Sequence, residues 1–106
     1  MSKENLNITV TFRHMESTEA LRNYTVDKIS RVLSKYSVKD GVEAMATLIV
    51  EKRSQSVEIR VKSIGFELSA KATDNDMYAA IDEAASSLEA QIRKQKSKQN
   101  TAKHKP

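Results

Sequence analysis

The strongest candidates for chemistry in this sequence are basic residues spaced so that they share helix surfaces. Four residues at intervals of four, three and four would line one side of a helix: Tyr24, Lys28, Arg31 and Lys35. Four more follow one another near the carboxyl end: Arg93, Lys94, Lys96 and Lys98. Closely spaced cations attract the regularly spaced phosphates of a nucleic acid, so both groups are candidate contacts to RNA or DNA.

The positive charge of the chain is concentrated at its carboxyl end. The 106 residues include 18 Lys and Arg and 14 Asp and Glu, which gives a formal net charge of +4. Residues 93–106 hold six of the basic residues and no acid, so residues 1–92 have a net charge of −2. This asymmetry favours a nucleic acid or another anionic surface as partner. A solvated, solubilising tail is the competing interpretation.

A third and weaker group of cations, Arg60, Lys62 and Lys71, falls on the polar face of a predicted sheet. Their simplest role is to pair with Glu58 and Glu67 on the same face. The two Phe residues of the chain, Phe12 and Phe66, fall on the apolar face, which leaves too few exposed aromatic rings to stack bases. Any nucleic acid would therefore be bound by its shape and backbone more than by its base sequence.

The sequence offers little that could support catalysis. His14 and His104 each stand alone, and there is no Cys for a thiolate, a disulfide or a metal finger. The only glycines, Gly41 and Gly65, do not form a phosphate-binding loop. Carboxylates are frequent over residues 74–83, but their position at a helix start favours capping over acid–base chemistry. We expect a protein that is not an enzyme, with no cofactor, metal or small-molecule substrate.

The elements that position the candidate residues follow from hydrophobic periodicity. Alternating residues predict strands, and apolar residues spaced by three, four and seven predict amphipathic helices. The predicted order is a strand at 6–12, a helix at 18–36, strands at 42–50, 57–61 and 66–72, and a helix at 74–98. The first helix would be capped by Ser17 or Thr18, and the second has Asp74 and Asp76 at its start.

This order predicts an α+β fold, β-α-β-β-β-α, with one four-stranded sheet and two helices packed on one face, as in a double-stranded-RNA-binding domain. The first two strands would be parallel, and the last three would form a meander. Two-residue loops at 53–54 and 64–65 would place Val50 opposite Val57 and Lys62 opposite Glu67. We expect one domain over residues 1–98 and a basic, disordered tail over residues 99–106.

The start of the chain lacks the pattern of a targeting segment. Residues 1–5 lead directly into the first strand, without the apolar core of a signal peptide, and no apolar run is long enough to span a bilayer. We therefore expect a cytoplasmic protein with no membrane partner.

The last helix resembles the signature of a known family. Residues 76–82, Asp-Met-Tyr-Ala-Ala-Ile-Asp, followed by Leu88, Gln91 and the basic run from Arg93, resemble the signature helix of the ribosome hibernation promoting factors and the related ribosome-associated inhibitors. This family is also known for sigma-factor modulation. Weaker matches lie at residues 7–9, 18–22, 28 and 50–52, so the resemblance covers about residues 6–98.

The resemblance implies the same order of helices and strands, and a function on the ribosome. A family member binds small-subunit rRNA in the decoding channel, blocks the tRNA and mRNA sites, and inhibits translation in stationary phase or stress. The implied partners are the small ribosomal subunit and the whole ribosome, with a monomer away from them. The implied rRNA contacts are Arg22, Lys28 and Arg31 in the first helix and Arg93, Lys94, Lys96 and Lys98 in the second.

Two departures from the family pattern narrow this expectation. Ser87 and Ala90 stand where family members often carry Lys or Arg. The chain also resembles the short hibernation promoting form, since it shows no second domain and its tail is basic. Two alternatives stay open at this point: a general double-stranded-RNA-binding module, and a protein-interaction regulator of a transcription (sigma) factor.

Overall fold

The chain forms a four-stranded sheet with two helices on one face, which confirms the predicted α+β fold. The computed structural model describes residues 6–36, 41–63 and 66–104. The elements are β1 (Leu6–Arg13), α1 (Glu19–Lys35), β2 (Val42–Val50), β3 (Gln55–Ser63), β4 (Phe66–Asp74) and α2 (Met77–His104).

The strands lie in the sheet in their order along the chain, β1-β2-β3-β4. β1 and β2 are parallel, as predicted, while β2–β3 and β3–β4 are antiparallel. The predicted register of β3 and β4 is also confirmed, since Lys62 lies opposite Glu67 and Glu58 opposite Lys71. The turn predicted at 64–65 lies outside the described residues.

The predicted register between β2 and β3 is wrong by two residues. Val57 lies opposite Leu48, and Val50 lies opposite Gln55 rather than Val57. The connecting loop therefore spans 51–54, and the Glu51 N–H donates to the Ser54 carbonyl at 2.8 Å. Because side chains alternate with a period of two, a two-residue shift keeps every side chain on its face, and the hydrophobic pattern could not detect it.

A single hydrophobic core fills the space between the sheet and the helices. Its fully buried members from the strands include Leu48, Val57, Ile59 and Val61, and those from the helices include Ile29, Leu33, Ile81 and Leu88. The other face of the sheet is open, and Met45 on that face has 51% of its surface exposed. Both helices thus cover the only apolar face, as expected for an antiparallel meander with one wet side.

Side chains cap both helices, α1 at one of its two predicted caps and α2 at Asp76. The predicted start of α2 at Asp74 is wrong, because Asp74 is the last residue of β4 and the helix begins after Asp76. The Leu21 N–H donates to Thr18 Oγ1 at 3.0 Å at the start of α1. The Ala79 N–H donates to Asp76 Oδ2 at 3.3 Å at the start of α2. Capping of this kind satisfies backbone donors that have no partner within the helix.

The predicted end of α2 at Lys98 is wrong, because helical backbone continues to His104. The prediction took the basic run that ends at Lys98 as the last turns of the helix, whereas Gln, Ala and Lys residues beyond that run also favour helical backbone. Part of the predicted tail is therefore helical, and residues 105–106 lie outside the described residues. The division into a domain at 1–98 and a disordered tail stays a prediction.

The central position of Ile59 leads to a prediction about stability. Ile59 is fully buried on β3, so I59A should lower the free energy of unfolding by about 2–5 kcal/mol through lost burial and a residual cavity. M45A on the open face should change it by about 0.5 kcal/mol or less. Urea denaturation of both variants measures the difference, and equal losses would contradict a one-sided core.

Candidate nucleic-acid interface

The basic residues of α1 face acidic residues of α2. Lys28 Nζ lies 3.2 Å from Asp82 Oδ1, and Lys35 Nζ lies 2.9 Å from Glu89 Oε2. The two cations are seven residues apart in α1, and the two carboxylates are seven apart in α2. The first cation pairs with the first carboxylate, which is the order required of helices that run in the same direction.

A tyrosine joins each of these ion pairs. The Tyr24 hydroxyl donates to Asp82 Oδ1 at 2.7 Å, and the Tyr36 hydroxyl donates to Glu89 Oε2 at 3.1 Å. The ammonium of Lys28 lies 5.8 Å from the centroid of the Tyr24 ring, within the range of a cation–π contact. The ammonium of Lys35 lies 5.7 Å from the Tyr36 ring. We call these two sets, Tyr24–Asp82–Lys28 and Tyr36–Glu89–Lys35, the interhelical triads.

The lysines and carboxylates of the interhelical triads line a groove of about 220 Å³ between α1 and α2. Val32 and Ala85 contribute its apolar lining, and Arg31 stands at its edge. The Arg31 guanidinium pairs with Asp27 at 3.0 Å, one turn earlier in α1. Lys28, Arg31 and Lys35 therefore each already have a carboxylate partner within the protein.

The pKa shifts of the triads follow from these contacts. The hydrogen bond to Glu89 raises the pKa of Lys35, and the hydrogen bonds from Lys35 and then Tyr36 lower the pKa of Glu89. The hydrogen bond to Asp82, followed by burial, raises the pKa of the Tyr24 phenol. The charge of Arg93, four residues after Glu89 in α2, also lowers the pKa of Glu89.

Arg22, predicted as an rRNA contact by resemblance, is engaged with β1. Its guanidinium donates to the Val10 carbonyl at 3.3 Å and lies 5.3 Å from the Phe12 ring centroid. These contacts hold the side chain against the outer strand of the sheet.

The cations of the sheet lie on the face away from the helices, so they do not extend the groove. Arg60 Nε is 3.9 Å from Glu58 Oε2, and Lys62 and Lys71 lie opposite Glu67 and Glu58 in neighbouring strands. The structure therefore separates this group from the two groups on the helices.

The basic residues from Arg93 onward in α2 differ from the cations of α1 and the sheet in their surroundings. Arg93 and Lys94 are exposed and follow Ile92, which is 1% exposed and is the last buried residue in the part of α2 whose side chains the structure describes. No ion pair within the described residues involves either cation. Lys96 and Lys98 continue the helix, but their side chains lie outside the described part of the structure.

The carboxylates at the start of α2 are occupied by local contacts. The Asp76 N–H donates to Asp74 Oδ1 at 3.1 Å. A hydrogen bond between Asp74 and Glu83 lowers the pKa of Asp74 and raises that of Glu83. In the ranges that the structure describes, no cluster of three or more His, Asp or Glu residues could hold a metal ion, and no helix is long and apolar enough to cross a membrane.

Sequence reasoning missed the role of Asp82 and Glu89. The sequence places Asp82 among the carboxylates of the helix start and in the signature at residues 76–82, and gives Glu89 no role. The available signal was the matching interval of seven residues in Lys28/Lys35 and Asp82/Glu89. That interval becomes informative only when the two helices are known to lie side by side.

Comparison with known proteins links nearly the whole chain to one group. Residues 8–100 match the family described as Sigma 54 modulation protein / S30EA ribosomal protein. A ribosome hibernation promoting factor of Pseudomonas putida is 36% identical over 96 residues, which cover 91% of this chain and 92% of that protein. A protein of the same name from Escherichia coli is 32% identical over 93 residues, which cover 88% and 96%.

Two solved structures have the same fold. The N-terminal domain of Thermus thermophilus Protein Y superposes with a TM-score of 0.74 at 33% identity, covering 83% of this chain and 97% of that one. A ribosomal subunit interface protein from Coxiella burnetii gives a TM-score of 0.71, covering 87% and 97%; at 24% identity it is similar in fold alone.

The pKa shifts of Lys35 and Glu89 lead to a prediction about pH. Because the pKa of Glu89 is lowered, its pairing stabilises the fold above the ordinary value of 4.5 and is lost as pH falls through the folded pKa. Because the pKa of Lys35 is raised, its part is present below 10.5 and is lost as pH rises through the folded pKa. The stability difference between wild type and E89Q, measured by urea denaturation, should be largest between these values. A difference that does not vary with pH would contradict the ion pair.

Proposed function

The chain belongs to the Sigma 54 modulation protein / S30EA ribosomal protein family, and on this premise we propose that it is a ribosome hibernation factor. The observation that carries the proposal is the similarity to the P. putida hibernation promoting factor, which spans 91% of this chain and 92% of that protein. Similarity along the full domain is stronger support than a single shared motif, because the fold and its surface are compared together.

The proposed mechanism is occlusion of the decoding channel. The protein would bind small-subunit rRNA where tRNA and mRNA otherwise lie, and would inhibit translation in stationary phase or stress. Its partners would be the small subunit and the whole ribosome, which places it in the cytoplasm, and it would be a monomer away from them. Exposed cations at the end of α2 support a backbone-directed mode of binding.

The environments of the candidate residues indicate how much each would contribute to binding affinity. Arg93 and Lys94 would supply most of the salt-dependent affinity, because they are exposed and have no carboxylate partner among the described residues. Lys96 and Lys98 follow them along the same helix. The remaining candidates would contribute less because they already have protein partners or lie on the far face: Arg22, Tyr24, Lys28, Arg31, Lys35, Arg60, Lys62 and Lys71.

A second candidate function is supported by the name of the family, which includes modulation of sigma 54. A domain acting on a transcription factor would bind protein rather than RNA. Its association would survive nuclease treatment and depend only weakly on salt. For a ribosome-bound factor, nuclease treatment would destroy the partner, and high salt would release the factor from it.

Sedimentation with purified ribosomes tests the proposed function. The protein should co-sediment in sucrose gradients with small subunits and whole ribosomes but not with large subunits. A generic RNA duplex at equal phosphate concentration should compete poorly, since it lacks the shape of the channel. Recovery on the duplex alone would favour a general double-stranded-RNA-binding module and exclude the proposed function.

Paired charge-removal variants test the proposed site. R93A/K94A should reduce the slope of log affinity against log salt by about 1.4–1.8, and should weaken ribosome binding roughly 30-fold near 0.1 M salt. K52A/R53A removes the same charge from the exposed loop between β2 and β3 and should have little effect. Equal behaviour of the two variants would show that only net charge matters. Both should unfold within about 0.5 kcal/mol of wild type.

A further inference from the structure

The carboxylates of the interhelical triads form ion pairs with the lysines that a nucleic acid would need to contact. We propose that Asp82 and Glu89 are internal competitors for RNA phosphates: the α1–α2 groove accepts RNA only where phosphates displace these carboxylates from Lys28 and Lys35. This inference rests on the proposed RNA-binding function and concerns how that surface is regulated.

The triads are accessible enough for displacement. The side chain of Lys35 is 62% exposed and that of Glu89 is 25% exposed, while those of Lys28 and Asp82 are 35% and 47% exposed. An incoming phosphate can therefore reach both ammonium groups without opening the core. Each carboxylate also keeps its tyrosine donor, so it retains a hydrogen-bond partner when its lysine turns toward RNA.

Electrostatics favours a carboxylate that competes with the phosphate over one that helps the lysine to bind it. A phosphate in contact with Lys35 Nζ would lie within roughly 6 Å of the Glu89 carboxylate, because each of the two contacts spans about 3 Å. Because the Coulomb energy falls with distance, repulsion from the carboxylate would offset about half of the attraction to the ammonium. A carboxylate that merely positioned the lysine for binding would have to overcome this repulsion.

The spacing between the two triads determines which ligand can displace both carboxylates. The two carboxylates are seven residues apart in α2, so the two lysines present sites about 10 Å apart along the helix. An RNA surface with two phosphates at that separation can replace both carboxylates, whereas a single phosphate gains one site and leaves the other neutralised. The groove thus discriminates against isolated anions, while Arg93 and Lys94 attract any polyanion.

Charge-neutral variants of equal shape test this inference. In E89Q the amide oxygen can still accept from Tyr36, but the negative charge is gone. E89Q should bind ribosomes about two- to fivefold more tightly than wild type, as expected from removing an exposed ion pair. Its salt slope should increase by about 0.7–0.9, equivalent to one additional phosphate contact. D82N should behave in the same way and provides the measurement if E89Q does not fold.

Two controls separate local competition from net charge. E67Q removes the same charge from the open face of the sheet, on β4, and should tighten binding less than E89Q. In a K35A background, E89Q should lose most of its gain, because the lysine that it releases is absent and only the weaker effect of Glu89 on Arg93 is left. Equal gains in E89Q and E67Q, an undiminished gain in K35A, or weaker binding by E89Q would each overturn the inference.

A second probe keeps this result independent of the ribosome. Elution of the same variants from immobilised heparin reports binding to a polyanion, and E89Q should elute at higher salt than wild type and E67Q. If wild type fails to bind ribosomes, the proposed function is wrong, and the order of elution still decides whether Glu89 competes with anions. If wild type binds ribosomes but E89Q gains nothing with either probe, only the inference fails.

Discussion

The constraint on which this structure depends is that its sheet has a single apolar face, which both helices must cover. Inward residues such as Leu48, Val57 and Ile59 are fully buried, while the opposite face remains open. Burial of that face supplies the main driving force for folding, and it forces α1 and α2 to lie side by side. The polar edges of the two helices consequently meet at the α1–α2 groove, where each charge must be matched by the other helix or solvated by water.

Packing against α2 changes the expected role of the basic residues of α1. In isolation, Lys28 and Lys35 would be solvated cations available to a ligand. Against α2 they pair with Asp82 and Glu89, and two tyrosines complete the contacts. Exposed ion pairs contribute little to stability individually. Their larger effect is on the surface potential, because they neutralise the groove, whereas Arg93 and Lys94 further along α2 have no ion-pair partner among the described residues.

Membership of the ribosome-associated family and this charge distribution fit one another. The proposed binding to rRNA needs attraction to phosphate, which Arg93 and Lys94 can supply, since both are exposed and follow the buried Ile92 in α2. It also benefits from limited attraction to other polyanions in the cell, since nonspecific binding to RNA is dominated by charge. A neutralised groove beside a charged helix end would serve both needs.

Much of this protein was determined by its sequence alone. Periodicity predicted the order of the elements and the face that each strand buries, and residue type predicted a cap at Ser17 or Thr18 and acids at the start of α2, because these are local properties of neighbouring residues. The register of β2 on β3 was decided only by tertiary structure, since a two-residue shift leaves both faces unchanged. The partners of Lys28 and Lys35 were likewise decided by packing. Each cation meets a carboxylate 54 residues further along the chain, and such a contact depends on the direction and spacing of two helices that no local pattern specifies.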